Sequence, residues 1–355
     1  MANTLDTFKT ATMIAVLEAQ QVPKTFFLDR FFTSQINFDS EKIVFDKVYT
    51  DHRKVAPFVA PNAHGEVLTS GGYETKEFKP AYVKPKHIID NDDVFVRQPG
   101  EKLVTGSLTP EQRRKATVAN RLREQRNMIT ARYEWMAAQA VIYGSVTVSG
   151  ENYPSQTINF GRDASLSTNL TGGALWNETT ATPLDDLREN RANVKTLSKG
   201  GVVRDYLFGA DAWVAFASNP EVKALLDRQT RGSETEYNLV GDMLPDEVEF
   251  MGTIEGPGGA GRMNLFVVST QYVDASDAEQ LHLPADTVVG VAGGTLQGVR
   301  CFGAIKVRSA GFKAMEMYPK NWVEDGDLEI EYVTTQSAPL MVPKEPNASF
   351  RLKVL

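Results

Sequence analysis

The sequence predicts an α+β fold, and three observations carry that reading. A single helix pattern runs without interruption from Pro110 to Tyr143. Elsewhere helix and strand patterns follow one another without regular alternation, which argues against a doubly wound sheet. Between Pro57 and Lys86, apolar and charged residues alternate around a Gly-Gly pair, making a long ribbon with one apolar face and no nearby cover.

In chain order, residues 4–20 read as a short amphipathic helix, with Leu5, Phe8, Thr12, Ala15 and Ala19 near one stripe and an end before Pro23. "FFLDRFF", residues 26–32, is a dense aromatic knot, expected to be a core or docking anchor. The ribbon goes out through Phe58, Val59, Val67 and Leu68, with a break from Pro61 to Gly65. It reverses at Ser70, Gly71 and Gly72, where glycine supplies the positive φ of a tight turn. The return arm carries Tyr73, Thr75, Phe78, Tyr82 and Val83, interleaved with Lys76, Lys79, Lys84 and Lys86. Pro80 and Pro85 remove ladder donors and mark this arm as an edge. A two-stranded ribbon is marginal alone, so either its own domain or another chain covers it. "DNDD", residues 90–93, lacks the spaced oxygen ligands of a calcium loop and reads as a solvated turn.

The helix pattern at 110–143 has both ends marked. Thr109 and Gln112 form a capping box, Pro110 takes the first helical position, and Gly144 stands where the chain must leave. Val118, Leu122, Ile129, Tyr133, Met136 and Ala140 make a buried stripe along a rod ~50 Å long. The first two-thirds also carry Arg113, Arg114, Lys115, Arg121, Arg123, Arg126 and Arg132 against only Glu111 and Glu124. That strip is either a solvated face or one turned to an acidic neighbour. Residues 183–297 offer such a neighbour, with 18 acidic against 9 basic side chains. Within that segment "LDDLRENRANVKTLS", "GADAWVAFAS" and "NPEVKALLDRQT" read as helices, and "EVEFMGTIE" and "RMNLFVVST" as strands. Residues 299–355 are strand-rich.

The chain of 355 residues is long enough for two or three domains. With 38 basic and 45 acidic residues its net charge is -7, so no global basic field holds nucleic acid. Cys301, the single cysteine, sits among apolar neighbours and reads as a buried, quiet thiol. No apolar stretch of signal-peptide or membrane-spanning length is present, and a reducing, cytoplasmic setting is expected.

The search for chemistry assigns no catalytic, cofactor-binding or metal-ligating residue. "GPGGAG", residues 256–261, matches the dinucleotide fingerprint by letter, but a β-branched, aromatic run follows where the fingerprint needs a helix N-terminus. It reads as a hairpin connection. His52, His64, His87 and His282 are scattered, with no second ligand at metal spacing. No Gly-Lys-Ser/Thr loop and no Gly-x-Ser-x-Gly elbow occurs.

Five phrases, "FFLDRFF", "YVKPKH", "TRGSETE", "YPKNWVEDGD" and "QSAPLM", stand in this order from Phe26 to Met341. Together they resemble the major capsid proteins of tailed bacteriophages, in the family of the phage lambda major head protein. The chain departs from that pattern at "GPGGAG" and within 88–105. The resemblance implies the Hong Kong 97-type capsid fold: an N-terminal arm at 1–50, an extended-loop hairpin at 51–106, a peripheral domain with a spine helix at 107–182, an axial domain at 183–297, and a C-terminal return to the peripheral domain at 298–355. It implies a shell subunit that forms pentamers and hexamers of the icosahedral head around packaged double-stranded DNA, held without sequence-specific contacts. Tyr73, Lys76, Phe78, Tyr82, Lys84 and Lys86 of the hairpin are then expected to meet another copy. The strip of Arg113, Arg114, Arg121, Arg123 and Arg126 is expected to face protein, and Pro319, Lys320, Asn321 and Trp322 form the family-like C-terminal motif. A scaffolding protein, a portal and a decoration protein are implied partners; a membrane is not. The rival readings are an encapsulin-type nanocompartment shell and, on "GPGGAG" alone, a nucleotide-dependent enzyme.

Overall fold

The computed structural model describes residues 8–20, 23–40, 42–48, 73–90, 92, 109–150, 153–223, 245, 247–256, 261–274, 276–324 and 330–355. The long helix Pro110–Tyr143 forms as its ends dictate. Thr109 Oγ1 accepts the Gln112 N–H at 3.3 Å, while the Gln112 side chain accepts the Thr109 N–H at 2.9 Å. At the other end Gly144 adopts φ 66° and its N–H reaches the Ala140 carbonyl, the left-handed stop glycine takes at little cost. The predicted stripe is the packed one: all six of its residues are buried.

Among the described residues six strands form the main sheet, in the order Ser167–Asn169, Ser349–Lys353, Thr287–Val291, Asp205–Phe208, Gly261–Val268 and Val248–Gly256. Its central strands are apolar on both faces, and Asp205–Phe208 and Thr287–Val291 are buried throughout. Gly290 of the second lies under Phe350, whose ring any side chain at that position would strike. The helices Pro183–Leu197 and Ala210–Ser218 arise where predicted, and the helix that resumes at Pro220 is described only as far as Lys223. A three-stranded sheet joins Ser34–Phe38, Val299–Gly303 and Pro339–Val342, and another joins Tyr318–Val323, Glu331–Gln336 and Lys86–Ile89. One hydrophobic cluster extends from Phe26 to Val354, across the expected boundaries at 182/183 and 297/298. A smaller one gathers Met13, Leu17, Ile89, Val118, Leu122 and Val333.

The ribbon's return arm takes a partner that the sequence reading did not name. This arm, Tyr73–Phe78, pairs antiparallel with Ile43–Val48, whereas the outgoing arm and tip at 57–72 lie outside the described residues. The physical reason is at the base of the ribbon, where Ile43 and Phe78 stand opposite each other and are 0% and 6% exposed within the main core. At the glycine run, Gly256 and Gly261 face each other in an antiparallel register and the chain leaves in the strand Gly261–Val268, so the connection is that of a hairpin. Residues 257–260 are outside the description, as is "TRGSETE".

Candidate functional site

The aromatic knot at 26–32 is fixed to three elements at once. Phe26, Phe27, Phe31 and Phe32 are all at most 3% exposed. Glu134, on the buried side of the long helix, accepts the N–H groups of Phe26 and Phe27 on Oε1 at 2.9 and 2.8 Å, and that of Leu28 on Oε2 at 2.8 Å. Burial pushes the Glu134 carboxyl up to about 7, while the three N–H donors pull the other way. Arg30 grips Asp205 of the main sheet by two bonds of 3.0 Å. Arg300 donates to the Phe32 carbonyl at 2.6 Å and to Asp29 at 3.1 Å.

A second joint binds the first half of the long helix to the C-terminal strands. Arg114 meets Glu331 through bonds of 2.7 and 2.9 Å, and Asn321 donates to the same carboxylate at 2.7 Å. Three turns further on, buried Gln125 donates to the Val333 carbonyl at 2.9 Å and accepts from Thr335 at 2.7 Å. The alternation of the strand explains both sets: Glu331, Val333 and Thr335 point to the helix, so Tyr332 and Thr334 point away. On that outer face Trp322 stacks on Tyr332 with centroids 5.3 Å apart, and Ile88, opposite Tyr332, is 50% exposed. Lys86 stands 3.7 Å over the Tyr332 ring, and Lys320 lies 5.5 Å from the Trp322 centroid.

The structure thus brings together Lys86, Arg114, Lys320, Asn321 and Trp322 at one sheet, with Pro319 buried in the same strand. Tyr73 and Lys76 stand on the ribbon opposite Val48 and Phe45. Lys84 is exposed, 4.8 Å over the ring of Tyr82, whose hydroxyl donates to the Ala304 carbonyl at 2.7 Å. Phe78 is a correction: its side chain is buried in its own subunit's core, so it cannot be what this ribbon offers a neighbour. The acidic segment 183–297 is likewise not what Arg114, Arg121 and Arg126 face. Arg121 pairs with Glu124 of its own helix at 3.0 Å, and Arg126 donates to the Leu17 and Gln20 carbonyls. The cause is position, because this half of the helix lies against Thr10–Ala19 and Glu331–Gln336. Arg113 is half-buried and Arg123 exposed. Cys301 is buried, and burial pushes its thiol up to about 12.

Sequence reasoning missed Arg30, Glu134, Asp205, Arg300 and Glu331. The available signal was a lone charge inside an apolar run, as in "RYEWMAAQA" for Glu134 and "GVRCFG" for Arg300. Such charges are buried only when paired.

The arrangement is one of joints and outward faces. No described helix is long and apolar enough to cross a membrane. Residues 9–354 match the family described as phage major capsid protein E. The major capsid protein of Escherichia phage lambda is 31% identical over 96% of this chain and 97% of its own length. That of Enterobacteria phage phi80 is 30% identical over 99% of this chain and 100% of its own. Among solved structures, a prophage capsid protein from E. coli CFT073 superposes with a TM-score of 0.74 at 26% identity, covering 99% of this chain and 100% of that one. The chain belongs to the phage major capsid protein E family, whose members are structural, non-enzymatic subunits of a virion shell.

Proposed function

We propose that copies of this chain close an icosahedral head, in rings of five and six, around the double-stranded DNA of a tailed phage, and that assembly takes place in the host cytoplasm. The observation that carries this reading is the family match spanning 9–354. The segment roles proposed are an arm at 1–50, an extended loop at 51–106, a peripheral domain at 107–182, an axial domain at 183–297 and a return at 298–355. A ring follows from heterologous contacts whose rotation closes, in which one face of a copy covers a different face of the next. Each contact can be weak because every subunit makes several. On the ribbon and the segment that follows it, Tyr73, Lys76, Tyr82, Lys84 and Lys86 are the proposed contact residues. A net charge of -7 suits a container, since DNA slides past an acidic wall. Arg113, Arg114, Arg121, Arg123 and Arg126 are proposed to face protein, which the bonds of Arg114 and Arg126 within the subunit support. A scaffolding protein, a portal and a decoration protein complete the proposed assembly. Negative-stain microscopy of the full-length chain, expressed alone and with the neighbouring phage genes, should reveal closed shells of uniform diameter. Discrete particles of single-chain mass under both conditions overturn the proposal.

A further inference from the structure

Phe312 is 59% exposed and has φ 58°, in the left-handed region that a bulky side chain seldom occupies. The loop that holds it is not slack. The Ile305 N–H reaches the Lys313 carbonyl at 3.1 Å, the Ala314 N–H reaches Asp39 at 3.1 Å, and Ser309 bonds the Tyr318 hydroxyl at 2.9 Å. Beneath it lies a small core of its own, made of Ile305, Ala310 and Tyr318. Among the described residues nothing covers this large aromatic, which an ordered loop holds outward on strained backbone. Around it Lys306, Arg308 and Lys313 are exposed, so the surface that fits it is apolar with an acidic rim.

The same chain carries such a surface elsewhere. Strands Gln271–Val273 and Glu279–Leu281 pair antiparallel. One face of this small hairpin packs inward through Tyr272, against Trp135 and His282. The other presents Val273 at 62% and Leu281 at 38% exposure, with Glu279 directly opposite Val273 and Asp274 and Asp277 beyond. No basic residue occurs from 271 to 281. Because Phe312 and Val273 are both more than half exposed, neither covers the other within one subunit.

We propose that the Phe312 loop of one copy docks on the outer face of the 271–281 hairpin of the next, the phenyl ring covering Val273 and Leu281 and the cations facing Glu279 and Asp277. The contact joins two different surfaces and so is heterologous, the kind that builds rings. It rests on the shell reading above and names one of the contacts that reading requires.

The test uses the full-length chain under conditions in which the wild type forms shells, read by sedimentation and negative-stain microscopy. Phe312→Gly removes the ring and relieves the left-handed strain, so the free subunit should melt no lower than wild type while shell yield falls by about tenfold. Lys313→Glu and Glu279→Lys should each lower the yield, and the two together should restore it, which damage to folding would not produce. Phe312→Cys combined with Val273→Cys should give a ladder of disulfide-linked multimers on oxidation, since buried Cys301 contributes none. Shells forming normally from Phe312→Gly, a double reversal no better than its parents, or no ladder would each overturn the contact while leaving the shell reading intact. A wild type that forms no shells overturns both.

Discussion

The two halves of the long helix are held by different physics. From Ile129 to Ile142 the helix buries Ile129, Tyr133, Met136, Ala137, Ala138, Ala140, Val141 and Ile142 at no more than 2% exposure each. Between Pro110 and Arg126 only Val118 and Leu122 are buried hydrophobics, and the grip comes from Arg114 on Glu331, Arg126 on two carbonyls and Gln125 on two strand residues. The difference teaches where replacement is tolerated. A close-packed half feels the loss of each methylene, whereas a bonded half feels the loss of a partner and accepts a substitute of the same hydrogen-bonding geometry.

The comparison can be broken or sharpened at three places. The largest effect is expected at Tyr133→Ala, which empties a site against Phe302 and strands the bonds to Glu316 and Ser337, at a cost of about 4 kcal/mol in denaturant unfolding. If that change costs less than 1 kcal/mol (about a quarter of the expectation), the packed half is not packed. Next comes pH. The Glu134 carboxyl is raised in the folded chain to about 7 from its ordinary 4.5, so the fold binds this proton more tightly than the unfolded chain does. Its contribution is full below 4.5 and is lost as pH rises through about 7, amounting to at most ~3 kcal/mol. Glu134→Gln should remove that slope from the stability curve measured between those limits, and a slope unchanged by the substitution rules out the assignment. The smallest effect is expected at Glu331→Ala, about 2 kcal/mol, since Arg114 keeps some access to water at 15% exposure. Glu331→Gln should recover much of it by still accepting from Arg114, which a packed site would not allow.

Local signals made the long helix legible to the residue. Thr109, Gln112 and Gly144 act within one turn of themselves, so their meaning needs no tertiary context. The ribbon's return arm was legible as a strand, but its pairing with Ile43–Val48 was not, because no local signal links Phe78 to Ile43 across the stretch between them. Joints such as Arg114 with Glu331 and Phe26 with Glu134 span more than a hundred residues, and no periodicity encodes a pair at that separation. The basic strip illustrates the same limit: its composition left a solvated face and an acidic neighbour both open, and regional charge totals pointed to the wrong neighbour, since a carboxylate is chosen by distance and not by the average of its segment.

The strand Ser349–Lys353 lies inside the six-stranded sheet, between Thr287–Val291 and Ser167–Asn169, yet a ribosome makes it after the other five. A nascent chain halted before it has an unfilled slot in the sheet, with Val288 and Val289 still beside Phe208 and Leu207 but lacking Leu352 and Arg351 on their other side. The sheet therefore closes on its last-made strand.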